Sequence, residues 1–246
     1  ADRALGDITL LAKTGNLQVN GAVNATGTVT ATADAGQVIT NATLEANDIA
    51  IAAATGVTVS ESITADDSLD IRTTSGDAMI SGQLLGFNTL LVRAATGMTT
   101  ITQQTTGVDA TIEGGAGVLV QEDFLASNSL TASSSAGDVT INARFESGGD
   151  ATLSSAQGEV NTANVVSGES VTISAGGDIN LAGDVNSNSA IAITTDTGSV
   201  SSVGEIAGAT DVSIIASQGD IQVAGVEGSQ SVVMTAAGSL TGSGEL

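Results

Sequence analysis

Apolar and polar residues alternate with a period of two, in short runs, along the whole chain. The clearest runs are "TVTATA" (28–33), "DIAIAAA" (48–54), "SLDIRTT" (68–74), "TLLVRAA" (89–95), "DATLSSA" (150–156), "SVTISA" (170–175), "AIAITTD" (190–196) and "DVSIIAS" (211–217). Apolar residues at i, i+2 and i+4 line one face of a strand but are smeared around a helix. Thr, Val and Gly, which fill these runs, are also poor helix formers. The pattern predicts an all-β chain.

The runs recur. A Gly opens a second kind of run, as in "GNLQV", "GDVTI", "GDINL" and "GDIQV". The series is Gly15, Gly36, Gly56, Gly76, Gly97, Gly117, Gly137, Gly158, Gly177, Gly198, Gly219 and Gly238, with gaps of 21, 20, 20, 21, 20, 20, 21, 19, 21, 21 and 19. Between the two kinds of run lies a brief apolar stretch centred on Val23, Leu44, Ile63, Leu84, Leu125, Val165, Val185, Ile206 or Val226. Each repeat therefore reads as three short strands, with Gly, Asn, Asp and Ser at the bends.

Three strands in about 20 residues leave only short corners. Identical units in series cannot each bury a face alone, so they stack. The reading is one domain over 1–246, a right-handed parallel β-helix with three strands per coil and about twelve coils of 19–21 residues. At about 4.8 Å per coil it would span roughly 58 Å. A strict six-residue cadence, which marks the left-handed form, is missing. Both ends fall inside the repeat pattern without a capping segment, so the chain reads as a piece of a longer protein.

Composition narrows the function. There is no Cys, His, Pro, Trp or Tyr; Phe87, Phe124 and Phe145 are the only aromatics. The missing Cys excludes disulfides and thiolate chemistry, and the missing His removes the usual general base and commonest metal ligand. Five cations (Arg3, Lys13, Arg72, Arg93, Arg144) face 27 acids, for a formal charge of -22. Such a surface repels phosphate backbones and anionic lipid, so nucleic-acid partners are not expected. No apolar run is long enough for a helix to span a bilayer, and no membrane insertion is expected.

The period, the "GDITL", "GDVTI" and "GDIQV" runs and the Cys-free Ala/Ser/Thr/Gly-rich composition resemble the β-helical repeats of filamentous haemagglutinin and its relatives, from about Gly6 to Leu240. Those are exoproteins of two-partner secretion systems in Gram-negative bacteria and include adhesins, haemolysins and contact-dependent growth-inhibition toxins. The resemblance implies an outer-membrane two-partner transporter as partner of the parent chain. It also implies a location outside the cell or on its outer surface, and a stalk that carries an adhesive or toxic tip. The Asn-Pro dipeptides of the family's secretion domain are not in this chain, which holds no Pro. A structural stalk is the first functional reading. The alternative is an outer face that engages a host or bacterial surface glycan or receptor.

No residue is assigned a catalytic, cofactor-binding or metal role, and no cofactor is expected. Asp7, Asp77, Asp138, Asp178 and Asp220 follow a Gly and suggest a stacked edge that could hold calcium. Asn16, Gln37, Val57, Met98, Val118, Glu159 and Ser199 interrupt the series, and the expectation is that Asp merely suits the bend and the solvent. A Thr-rich face suggests ice binding, but Asp70, Arg72, Arg93 and Asp211 break it. Asp66 with Asp67, and Glu122 with Asp123, are neighbours in sequence and no cleft is foreseen for a paired-carboxylate site. The near-constant repeat length leaves no long loop for an enzyme groove. Asn24 and Asn41 each open "NAT", a glycosylation acceptor triplet, read here as chance in a Thr-rich chain.

Overall fold

The computed structural model describes residues 4–243, and these are all-β, with 27 strands and no helix. Every strand pairing is parallel and joins a strand to its equivalent 19 to 21 residues further on. The chain thus winds as a β-solenoid of about twelve turns. Three stacks of strands form its faces. The first runs from Leu17–Val19 to Leu240–Gly242, the second from Val23–Asn24 to residues 226–228, and the third from Ile8–Ala12 to Ser231–Ala236.

The three faces match the pattern of the sequence, but the strands do not all stop at the corners. Leu44–Ala53, Ile63–Thr73, Leu84–Ala94 and Thr105–Gly114 bend unbroken from the second face into the third. Val139–Ser147, Val160–Ser167, Val200–Gly208 and Ile221–Gly228 bend from the first into the second. The bend is absorbed as a register shift, for example between Ala46 and Asp48, Leu85 and Phe87, or Ile141 and Arg144, which is how a β-bulge re-aims a strand.

Inward residues stack in columns. On the third face one column runs Val29, Ile49, Leu69, Leu90, Ala110, Leu130, Ala151, Val171, Ile191, Val212. Its neighbour two residues along compensates in volume: Ala110 sits beside Ile112, Leu130 beside Ala132, Ala151 beside Leu153, all buried. Such trading fills these two columns of the interior with aliphatic side chains alone. On the second face the column is Leu84, Thr105, Phe124, Phe145, Val165, Val185, Ile206. The sequence centres the brief apolar stretch of this coil on Leu125. Phe124 is the buried one and Leu125 is half-exposed. With two apolar residues side by side, a shift of one place exchanges the faces.

The corner between the third and first faces needs close backbone approach. A Cβ on Gly137 would land on the carbonyl oxygen of Ala116, and one on Gly219 on that of Gly198. Two of the repeat glycines lie one place later than the period suggests. Thr55 and Ala116 hold the corner below Gly76 and Gly137, while Gly56 (φ 157°) and Gly117 (φ 150°) pair with the position of Asp77 and Asp138. Buried hydroxyls pin these bends. Ser134, Ser155 and Thr195 accept from the N–H of Gly137, Gly158 and Gly198.

Not every buried hydroxyl finds a partner. Thr40, Thr73 and Thr162 each bury Oγ1 without a hydrogen bond. Thr162 lies between Ile141 and Leu181 in its column. Thr162→Val keeps the shape and removes the orphan, so it is expected to raise stability by about 1 kcal/mol, read as a higher urea midpoint at unchanged slope.

Candidate functional site

The acids of the bends have a shared task. Asp77 Oδ1 accepts from the backbone N–H of Met98 at 2.8 Å, Asp138 from Glu159 at 2.8 Å, Asp178 from Ser199 at 2.7 Å and Asp220 from Ser239 at 2.6 Å. Each carboxylate thus ties its coil to the next one along the chain. Asn16 does the same with an amide oxygen, accepting from Gln37 at 3.0 Å. The column that looked suited to calcium is a row of inter-coil hydrogen bonds. Gln37, Met98, Glu159 and Ser199 fall within it, whereas Val57 and Val118 lie one place further on, buried in the core, and Gly56 and Gly117 take the column position. Asp7 does not belong to this column. Its strand, Ile8–Ala12, lies on the third face, and Asp7 Oδ1 accepts from Thr28 N–H at a different corner. The motif "GDITL" alone could not show which face it starts. Among the described residues no three acidic side chains converge as a metal site would need.

The other corners use the same device. Asp123 accepts from Arg144 N–H at 3.1 Å, Asp150 from Ser170 N–H at 3.0 Å, and Asp184 from Glu205 N–H at 2.9 Å. Two members sit in denser hydrogen bonding. The Ser68 hydroxyl and the Asn47 amide hold the Asp48 carboxyl below its ordinary value. Asp109 is held down chiefly by the Ser129 hydroxyl, with the Ser129 N–H and the Asn128 amide adding to it against partial desolvation. A carboxylate depressed in the folded state adds stability that is present above its unfolded value, about 3.9, and is lost as pH falls through the lower folded value. Asp109→Asn keeps an acceptor oxygen but cannot titrate. Its melting temperature should lie below the wild type's at pH 7, and the gap should close below about pH 3.9.

Each of the described cations is paired: Lys13 with Asp34 (2.9 Å), Arg72 with Asp70 (2.6 Å), Arg93 with Glu113 (3.2 Å) and Arg144 with Glu146 (2.9 Å). All are exposed and contribute little individually. What remains on the surface is carboxylate in excess.

The remaining candidates stay apart. Asp66 and Asp67 sit on an exposed bend, and Asp67 accepts from the Asn88 amide at 3.0 Å. Glu122 is exposed beside Asp123, which is already engaged with Arg144 N–H. On the third face, Asp70, Arg72 and Arg93 interrupt the Thr ranks, and Asp211 opens the strand Asp211–Ala216. Asn24 is half-buried in a strand and donates to Glu45 at 2.9 Å. Asn41 is on an exposed bend between Asn20 and Ser60, hydrogen-bonded to both. No connection between described strands exceeds four residues, so no loop walls a cleft.

One concavity was announced by no motif. It is an open groove of about 460 Å³ along the outside of the second face, from Glu146 to Glu227. The outward column there runs Glu146, Val166, Asn186, Ala207, Glu227. Earlier in the same column stand Leu85, Thr106 and Leu125. The groove exists because side chains shrink at the floor and because Gly148, Gly168, Asn188 and Ala209 form a low corner beside it. Beneath the floor, Ser147 and Ser167 donate to the Gly149 carbonyl and Ser187 to the Glu169 carbonyl, which fixes that corner.

Compared with known proteins, the chain matches no family model, no curated protein and no solved structure.

Proposed function

We propose that the chain is a shaft segment of a large bacterial exoprotein of the filamentous-haemagglutinin type, carrying a functional tip away from the cell. On this reading the parent protein is exported through an outer-membrane two-partner transporter and works outside a Gram-negative cell. One observation carries the reading: an unbroken parallel ladder runs the full described length around an interior filled by side chains. Such a body adds length coil by coil, each coil stabilised by its neighbours. Its short corners and excess carboxylate suit a long particle that must stay dispersed.

Duplicating residues 137–237 in place within the parent protein adds five coils, about 24 Å of length. The separation between tip and outer membrane in electron tomograms should grow by that amount. An unchanged separation would contradict the shaft reading.

A further inference from the structure

We propose that the groove on the second face binds a linear, uncharged oligosaccharide lying along the solenoid axis. This goes beyond the shaft reading and stands or falls separately from it. The groove crosses four coil steps, about 19 Å, and its volume of about 460 Å³ is in the range of ligand sites. Its floor and low wall offer two amides, Asn186 and Asn188, whose side chains have no hydrogen-bond partner among the described residues. An amide both donates and accepts, which suits a hydroxyl that does the same. Val166 and Ala207 alternate with Asn186 along the floor and present methyl groups to the C–H faces of sugar rings.

Other chain-like ligands fit less well. A polyanion meets a chain of formal charge -22. A polycation would find one unpaired carboxylate, Glu227, since Glu146 is already matched by Arg144 at 2.9 Å. An extended peptide gains affinity by adding to an open sheet edge, whereas the groove floor lies in mid-sheet, with strands paired on both sides.

The test is titration of the chain, followed by NMR, with cellohexaose, maltohexaose and chitohexaose up to about 5 mM, alongside the cationic glucosamine hexamer. At least one neutral hexamer should bind with Kd near 1 mM or tighter. Ala207→Trp, which fills the floor, should abolish that binding. Ser174→Trp, on the outside of the third face, should leave it intact. If Ala207→Trp does not fold, Asn186→Ala should weaken binding at least about fivefold. The proposal is overturned if no neutral hexamer binds, if only the glucosamine hexamer does, or if binding survives the groove substitutions in folded protein.

Discussion

Gly137→Ala is expected to break the solenoid locally, at a cost of about 3–4 kcal/mol, whereas Gly21→Ala should be neutral or slightly stabilising. The difference lies in what the new methyl meets. At Gly137 it would land on the Ala116 carbonyl, which belongs to a backbone held in the ladder above and below. Neither coil can yield without breaking parallel hydrogen bonds. At Gly21 nothing lies within 4 Å and φ is ordinary. There the loss of unfolded-state freedom governs, about 0.4–1 kcal/mol in favour of Ala. Because each coil contacts only its neighbours, the Gly137→Ala damage should be confined. Hydrogen exchange should rise in the coils flanking residue 137 and stay near wild type around residues 44–73 and 200–223.

Phe145→Ala is expected to cost about 3–5 kcal/mol. Phe145 and Phe124 are both fully buried, in adjacent coils, with ring centroids 6.4 Å apart and planes at 30°. They are the bulkiest interior residues of the second face; apart from Phe87, buried at the bend of Leu84–Ala94, the rest of the interior is built of aliphatics and small polar groups. Truncating one removes its own burial and leaves the other beside a cavity that the ladder prevents from closing. Phe145→Leu, matching the aliphatics elsewhere in the column, should cost less than about 1.5 kcal/mol. Urea denaturation of the two variants against wild type reads both values. A loss for Phe145→Ala no larger than for Phe145→Leu would show that the aromatic pair is not a packing centre.

Much of this architecture was legible because the repeat is short and the residues simple. Alternation gave the strands, and the period gave the stacking that the parallel register confirms. What escaped did so for identifiable reasons. "DFLA" holds two adjacent large apolar residues, so alternation could not choose between Phe124 and Leu125. Thr105 is fully buried at an inward position, where a polar residue leaves a gap in the apolar pattern. Asp7 follows a Gly as Asp77 does, yet sits at another corner, because local sequence does not record which face a run starts. The role of the bend carboxylates depends on an N–H about 20 residues away. The groove is made by side chains that are too small to fill it, and such an absence leaves no motif.

The most direct test of the stacked-coil account is a distance measured along one column. Thr30, Thr111 and Ser213 share an outward column of the third face. Nitroxide labels on the pair Thr111 and Ser213, five coils apart, should give about 24 Å by pulsed electron spin resonance. The pair Thr30 and Ser213, nine coils apart, should give about 43 Å. Two distances that fail to scale with the number of coils between the labels would contradict the solenoid.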